Sequence, residues 1–146
     1  MGIIKIGIKN ISGNDVPAYA TVGSSGLDVR ACLDKLLNLE PLERFIVPTG
    51  LFIEIPSGYE AQIRPRSGLA LKQGLTCLNS PGTIDSDYRG ELKVILVNLS
   101  NESQTIRPGD RIAQLVFQKV EKIVWDVKTD LSETVRGEGG FGHTGK

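Results

Sequence analysis

The clearest strand pattern in the chain runs from Leu51 to Arg64, L-F-I-E-I-P-S-G-Y-E-A-Q-I-R. Apolar side chains alternate with others from Leu51 to Ile55, and the alternation resumes from Tyr59 to Arg64. Successive side chains on a strand point to opposite faces, so a period of two is typical of a strand with one buried face. Pro56-Ser57-Gly58 is typical of a tight turn. The stretch therefore predicts two consecutive half-buried strands.

The rest of the chain repeats this pattern at short intervals. Helical composition is confined to Ser67 to Lys72 and Asp34 to Leu39, and both segments are too short to cross over between parallel strands. We therefore predict an all-β fold, an antiparallel sandwich or barrel with at most one short helix. The other predicted strands are Ile4 to Ile8, Leu92 to Leu99, Ile112 to Val120 and Ile123 to Val127.

The composition bounds the class of protein. A chain of 146 residues fits one domain. Lys and Arg number 17, as do Asp and Glu, so the formal net charge is zero. This balance disfavours binding to polymeric nucleic acid, which usually needs a global positive field, but it allows a small phosphorylated ligand held by local cations. Cys32 and Cys77 are too few for a disulfide framework and have no zinc-binding spacing.

Apolar segments of membrane-spanning length do not occur in the sequence, and its N-terminal stretch lacks the apolar run of a signal peptide. We therefore expect a cytoplasmic protein with no membrane partner.

A polar cluster lies on a forced bend at Asn79 to Gly90, N-S-P-G-T-I-D-S-D-Y-R-G. Pro81-Gly82 predicts a tight turn, and Asp85-Ser86-Asp87 suits the tip of a hairpin. Such residues often do no more than solubilise a turn, and composition alone supports a site and a plain hairpin equally. Ile84 and Tyr88 favour a site, because a solvating turn does not need bulky side chains.

Two further segments are candidates for binding anions or cations. Arg64 to Gly68 lies where a strand gives way to the short helix, so Arg66, the Ser67 hydroxyl and backbone N–H groups predict an anion site. The alternative is an N-cap serine beside solvated arginines. Asp28 could approach a hard cation directly or through water, or it could cap a turn. Gln114 is a candidate polar contact within a predicted strand.

The C-terminal segment Gly137 to Lys146 reads G-E-G-G-F-G-H-T-G-K, in which five of ten residues are glycine. Gly140, Gly145 and Lys146 superficially fit the start of a P-loop, but we do not expect one, because the Ser or Thr that the motif needs is missing. A Gly-rich terminus is usually disordered and inert. Alternatively, Arg136, Phe141 and Thr144 suit a flexible strap that covers a base and pairs with an anion.

Taken in order, these segments resemble the five motifs of the trimeric dUTPases, the deoxyuridine 5′-triphosphate nucleotidohydrolases. Each motif alone is weakly specific, whereas five in order over nearly the whole chain are highly specific. His143 departs from the family pattern, since many members carry serine there. The matching segments are Gly26 to Ala31, Arg64 to Ala70, Gly82 to Gly90, Arg107 to Leu115 and Arg136 to Gly142.

The resemblance implies a jelly-roll-like β subunit, a homotrimer with shared active sites, and hydrolysis of dUTP to dUMP and pyrophosphate with Mg²⁺. This reaction limits uracil in DNA and supplies dUMP for dTMP synthesis. The resemblance also divides the chain into a β domain over residues 1–136 and a flexible strap over residues 137–146, which closes over a neighbouring subunit's site.

The family's residue roles carry over to matching positions. Asp85 is then the base that activates the water attacking the α-phosphorus, and Asp28 meets Mg²⁺ through water. Tyr88 packs on the deoxyribose where a ribose 2′-hydroxyl would clash. The other implied substrate contacts are Asn79, Gly82, Thr83 and Ile84 at the uracil, Arg66, Ser67 and Gly68 at the β- and γ-phosphates, Gln114 at the α-phosphate, Lys93, and Arg136, Phe141, Gly142 and Thr144 from the strap.

Two other functions are open to this sequence. A dCTP deaminase of the same fold is similar around Arg64 to Leu69, but Gly68 and the terminal strap argue against it. A non-catalytic jelly-roll binding module would have no reason to combine Asp85, Tyr88 and Arg66.

Overall fold

The computed structural model describes residues 2–145 and confirms the all-β prediction. Every strand pairing in that range is antiparallel, and the one helix there is short. The elements are β1 (Gly7–Asn10), β2 (Leu27–Arg30), β3 (Leu37–Leu39), β4 (Arg44–Glu54), β5 (Tyr59–Arg64), α1 (Ser67–Gln73), β6 (Leu75–Cys77), β7 (Gly82–Ile84), β8 (Leu92–Asn98), β9 (Gln104–Ile106) and β10 (Arg111–Lys119).

The strands form two four-stranded sheets and one two-stranded ribbon. The first sheet has the order β1-β4-β8-β6, the second has the order β2-β10-β5-β7, and the ribbon pairs β3 with β9. The turn at residues 56–58 carries the chain from β4 in the first sheet to β5 in the second, and the Tyr59 N–H donates to the Pro56 carbonyl at 3.2 Å. The two strands predicted within Leu51 to Arg64 therefore belong to different sheets.

Alternating side chains of both sheets meet in one hydrophobic core. Leu51 and Ile53 of β4 are buried, as are Ala61 and Ile63 of β5, which matches the predicted period of two. Val94 and Leu96 lie in the same core, which confirms β8 as a buried strand. The inner faces of the sheets are thus apolar, and the outer face of the second sheet is free to carry polar side chains.

Three predicted elements differ in the structure. Ile4 to Ile8 does not form a strand throughout, because β1 starts at Gly7 opposite Glu54, where its partner β4 ends. Asp34 to Leu39 is not a helix, and its last residues form β3 against β9. Ile123 to Val127 is not a strand, because within residues 2–145 no neighbouring strand pairs with it.

Among the residues described, no helix is long and apolar enough to cross a membrane.

Candidate active site

The second sheet gathers four of the five motif segments on adjacent strands. Asp28 lies on β2, Gln114 on β10, Arg64 at the end of β5, and Gly82 to Ile84 on β7. In the register of this sheet Gln114 faces Asp28 on one side and Arg64 on the other. Three segments that lie far apart in the sequence therefore meet in one row across the sheet.

A carboxylate and two guanidiniums form a cluster at this row. Asp28 Oδ1 lies 3.0 Å from Arg66 Nε, and Asp28 Oδ2 lies 3.4 Å from Arg111 Nη1. Arg66 Nη1 also donates to the Arg111 carbonyl at 3.1 Å. Partly exposed ion pairs of this kind contribute about 1 kcal/mol or less to stability. The ion pairs with Asp28 orient the two guanidiniums, and the excess of positive charge in the cluster suits an anionic ligand.

The Gln114 side chain is fixed beside the cluster. Its Nε2 donates to the Pro65 carbonyl at 3.1 Å. A Cβ on Gly26 would lie only 3.2 Å from Gln114 Cδ and would meet the amide oxygen, so the bare glycine makes room for this side chain. Gln114 is thereby held against the loop that leads from β5 to α1.

Ser67 and Gly68 begin helix α1 and are exposed. Arg66 occupies the N-cap position, and no side chain caps the helix, so the alternative of an N-cap serine is wrong. Ser67 keeps its hydroxyl available next to Arg66. An open cavity of about 240 Å³ adjoins the cluster and is lined in part by Arg66, Leu69 and Arg111.

The segment from Asn79 to Gly90 differs from the predicted hairpin. It passes from β7, which pairs with β5 in the second sheet, to β8 in the first sheet. Gly82 is buried, Ile84 is half-buried against the core, and Asn79 and Thr83 are exposed. The segment is therefore a crossing between sheets, and its polar residues lie at the surface.

Asp85 lies on the exposed turn of this crossing. Its carbonyl accepts a hydrogen bond from the Tyr88 N–H at 3.2 Å. Arg89 braces the same turn, since Nη1 donates to the Ser86 carbonyl at 2.7 Å and Nη2 lies 3.7 Å from Glu54 Oε1. Among the described residues no side chain donates to the Asp85 carboxylate, which is thus free to bind a water molecule or a ligand.

Tyr88 folds back on its own turn. Its hydroxyl donates to the Glu91 carbonyl at 3.0 Å, and its ring lies against the Cα of Gly90. Glu91 is itself anchored, because its Oε1 accepts the Gly50 N–H at 2.9 Å. Lys93 lies on β8 with Nζ 3.9 Å from Glu91 Oε2.

One chain does not place the Asp85 turn beside the Arg66 cluster. Gly82 faces Ile63 and Ile84 faces Ala61, so β7 runs away from Arg64. At a rise of about 3.3 Å per residue, the distance along β5 from Arg64 to Ala61 is roughly 10 Å. Asp85 follows Ile84 in that direction. The predicted site residues thus fall into two separate groups on one chain.

The strap residues form a third group, away from both. The last backbone hydrogen bond to the sheets before this segment joins the Val120 N–H to the Gly58 carbonyl at 3.0 Å. From residue 121 to 145 every hydrogen bond and ion pair joins residues of that same segment, including Arg136 Nε to the Gly139 carbonyl at 2.8 Å. Phe141, Gly142 and Thr144 are exposed, and Lys146 lies outside the described residues.

The donor set for a metal ion is small. Within residues 2–145 no three His, Cys, Asp or Glu side chains come close enough to hold a metal ion. Mg²⁺ commonly binds through one or two carboxylates, several waters and the phosphates of a substrate. Asp28 therefore fits an ion that is held mainly by water and by the phosphate oxygens of a ligand.

Comparison with known proteins identifies the family. The dUTPase family model matches residues 13–145. A deoxyuridine 5′-triphosphate nucleotidohydrolase of Fusobacterium nucleatum is 58% identical over 144 residues, covering 97% of this chain and 99% of that protein. The enzyme of the same name from Finegoldia magna is 56% identical over 142 residues, covering 97% and 99%. The chain belongs to the dUTPase family. The prediction of an enzyme is thereby confirmed.

Solved dUTPase structures share the fold. The dUTPase of Staphylococcus bacteriophage 80alpha, determined with dUpNHpp, superposes with a TM-score of 0.87 at 24% identity, covering 97% of this chain and 99% of that one. The dUTPase of S. aureus phage phi11, described with a coordinated structural Mg(II) ion, has a TM-score of 0.79 at 20% identity, covering 89% and 100%.

Sequence reasoning missed three residues that shape the site of this dUTPase. The motifs assign no contact to Arg111, Arg89 or Glu91, although Arg89 lies within the polar cluster Asn79 to Gly90. For Arg111 the cause is a β-bulge between Arg111 and Ala113, which breaks the alternation and allows Arg111 to reach the face of Asp28 and Gln114.

Proposed function

We propose that this dUTPase hydrolyses dUTP to dUMP and pyrophosphate. The observation that carries the proposal is the near full-length match to the Fusobacterium nucleatum nucleotidohydrolase, since 58% identity spans all five motifs. The site geometry supports it, because a cationic cluster, a free carboxylate and an exposed aromatic ring are the groups that a nucleoside triphosphate would need.

Asp85 is the proposed general base. Its carboxylate is exposed and takes no hydrogen bond from another described side chain, so it is available to orient a water molecule. A carboxylate within hydrogen-bond reach of the water is a sufficient base when cations absorb the charge that develops on the phosphates.

The phosphates are assigned to the cationic cluster. Arg66, Ser67 and Gly68 are proposed to hold the β- and γ-phosphates, and Gln114 the α-phosphate. Support comes from the ion pair that orients Arg66 and from the hydrogen bond that fixes Gln114 to Pro65. Mg²⁺ would be held by Asp28 through water and by phosphate oxygens, and when bound it supplies positive charge to the triphosphate.

The crossing segment is assigned to the nucleoside. Asn79, Gly82, Thr83 and Ile84 would present backbone groups to the uracil edge, so that cytosine leaves polar groups unpaired and thymine lacks room for its methyl group. Tyr88 would pack on the deoxyribose and exclude a ribose 2′-hydroxyl. Lys93 is a further proposed contact, since its ammonium lies near Glu91 at the end of the same crossing.

A homotrimer with shared sites accounts for the separation of these groups. The Asp85 turn and the Arg66 cluster lie apart on one chain, and a second copy would bring further groups to each site. The strap, residues 137–146, would close over a neighbouring site with Arg136, Phe141, Gly142 and Thr144, leaving residues 1–136 as the β domain. The exposed apolar side chains of Trp125 and Val127 support contact with another copy.

The proposed cellular role follows from the reaction. Removal of dUTP would limit uracil in DNA, and the dUMP formed would supply dTMP synthesis. A cytoplasmic location suits this role.

The decisive experiment measures pyrophosphate and ammonia released from dUTP, UTP, dCTP and dTTP with Mg²⁺. We expect pyrophosphate from dUTP alone. Ammonia from dCTP would instead indicate the deaminase. Binding of nucleotides without release of either product would indicate a binding module.

A further inference from the structure

The ring of Tyr88 and the Cα of Gly90 occupy adjoining space. A Cβ built on Gly90 would lie 2.5 Å from Tyr88 Cζ and 2.9 Å from Cε2, far inside van der Waals contact. The backbone of Gly90 is not left-handed, so its conformation alone would accept alanine. The ring therefore occupies the space that a side chain at position 90 would take.

Glu91 fixes the hydroxyl end of the Tyr88 side chain. The Glu91 carbonyl accepts the Tyr88 hydroxyl at 3.0 Å, and the Glu91 carboxylate is held by the Gly50 N–H at 2.9 Å. Leu92, the next residue, is fully buried at the start of β8. The Glu91 carbonyl cannot move with the ring, because Glu91 is held by Gly50 of β4 and is followed by Leu92 of β8, and both strands belong to the first sheet.

A methyl group at position 90 would move the ring and not the backbone. Tyr88 is 43% exposed, so its side chain has solvent into which it can rotate. Rotation would break the hydrogen bond to Glu91 and take the ring away from its present place. The turn itself would keep the hydrogen bond from Tyr88 N–H to the Asp85 carbonyl, which involves neither side chain.

We propose that Gly90 is a positioning residue for sugar specificity, because its missing side chain lets the Tyr88 ring lie where it excludes a ribose 2′-hydroxyl. The inference rests on the proposed role of Tyr88 in the hydrolysis of dUTP. It assigns to Gly90 an effect on the choice between dUTP and UTP, and no contact with the substrate.

The test compares kcat/KM for dUTP with kcat/KM for UTP in Gly90→Ala, Tyr88→Ala and the double variant. We expect Gly90→Ala to lower this ratio by about tenfold or more, towards the value of Tyr88→Ala. In the Tyr88→Ala background, Gly90→Ala should change the ratio no further, since the ring is already absent. Gly23→Ala is the matched control, because a Cβ there would meet nothing within 4 Å, and it should keep the wild-type ratio.

The inference would be overturned if folded Gly90→Ala kept the wild-type preference for dUTP over UTP while Tyr88→Ala lost it. That result would leave the proposed role of Tyr88 unchanged. No preference for dUTP in the wild-type protein would overturn that role, and the inference with it. If Gly90→Ala does not fold, thermal unfolding of the double variant decides. Recovery of a folded protein on removing the ring would support competition for space, and failure to recover would refute it.

Discussion

At the scale of single residues, the Asp85 side chain contributes little to stability, because its carboxylate has no hydrogen bond or ion pair among the described residues. Its carboxylate is exposed, and its place in the turn is held by its own backbone carbonyl, which accepts from the Tyr88 N–H at 3.2 Å. Replacing this side chain should leave the fold intact, because surface substitutions away from caps and networks usually change stability by about 0.5 kcal/mol or less.

Asp85→Asn should therefore slow turnover strongly in a folded protein. Asparagine keeps the size of the side chain and cannot take a proton from water, so we expect kcat to fall by about 10² to 10⁴. Steady-state pyrophosphate release measures the loss, and calorimetric titration with a non-hydrolysable dUTP analogue checks that binding is kept. Near-normal turnover in this variant would rule out Asp85 as the base.

Cys77 provides a residue-scale prediction on stability. Burial raises the pKa of the Cys77 thiol from its usual 9.0 to about 11, since the thiolate is poorly solvated in the core. The unfolded thiol loses its proton near pH 9 while the folded one keeps it, so this contribution to stability is complete below pH 9 and is lost as pH rises towards 11. Denaturant titrations from pH 8 to 11 should show a steeper loss for the wild-type protein than for Cys77→Ala. Parallel curves would contradict the assignment.

At the scale of elements, the bulge in β10 matters most. Asp28 and Gln114 are paired across β2 and β10, and in a regular strand Arg111 would point to the opposite face from Gln114. The bulge between Arg111 and Ala113 reverses this and brings Arg111 to within 3.4 Å of Asp28. A local irregularity of one strand thus completes the cationic cluster.

Removal of Arg111 should therefore weaken substrate binding with little effect on stability. Arg111→Ala frees one oxygen of Asp28 and removes one positive charge from the cluster, so we expect KM for dUTP to rise severalfold and the free energy of unfolding to change by about 1 kcal/mol or less. Steady-state kinetics and denaturant titration measure the two effects. Arg30→Ala is the control, because the Arg30 guanidinium donates to the Gly109 carbonyl at 2.9 Å and not to Asp28. If KM for dUTP were unchanged in Arg111→Ala, a role of Arg111 in substrate binding would be contradicted.

The elements also show which parts of the fold could be predicted. The strands within Leu51 to Arg64 and Leu92 to Leu99 were predicted correctly, because burial of one face leaves an alternation in the sequence and burial of both faces leaves a continuous apolar run. The start of β4 at Arg44 was not predicted. Ile123 to Val127 has the same apolar composition and fails as a strand, since pairing depends on a neighbour that no periodicity reveals.

The candidate site was harder to predict than the strands. The motif segments identified Asp28, Arg66 and Gln114, which the second sheet does bring together. The distance between Asp85 and this cluster depends on the register of β7 against β5, and Arg111 depends on a bulge. Both are set by long-range backbone pairing and leave no trace in local composition.

At the scale of the whole molecule, the chain consists of a packed body and an extended C-terminal segment. Residues 121–145 form hydrogen bonds and ion pairs only among themselves, and all of their large apolar side chains are exposed. Burial of these side chains against another copy would stabilise an assembly, because each would lose contact with water.

Deletion of residues 137–146 should separate folding from turnover. The described part of this segment, residues 137–145, lacks hydrogen bonds to the sheets, so we expect the melting temperature and the oligomeric mass to stay the same. Turnover of dUTP should be lost, because the strap would no longer close over the site. Differential scanning calorimetry, light scattering and pyrophosphate release measure the three properties. Normal hydrolysis of dUTP by the truncated protein would refute the proposed role of the strap in turnover.

The exposed segment has an optical consequence. Trp125 is the single tryptophan of the chain and is 83% exposed in it. A surface that covers the segment would change the surroundings of this one indole ring. The wavelength of the tryptophan fluorescence maximum therefore reports on that contact without a label.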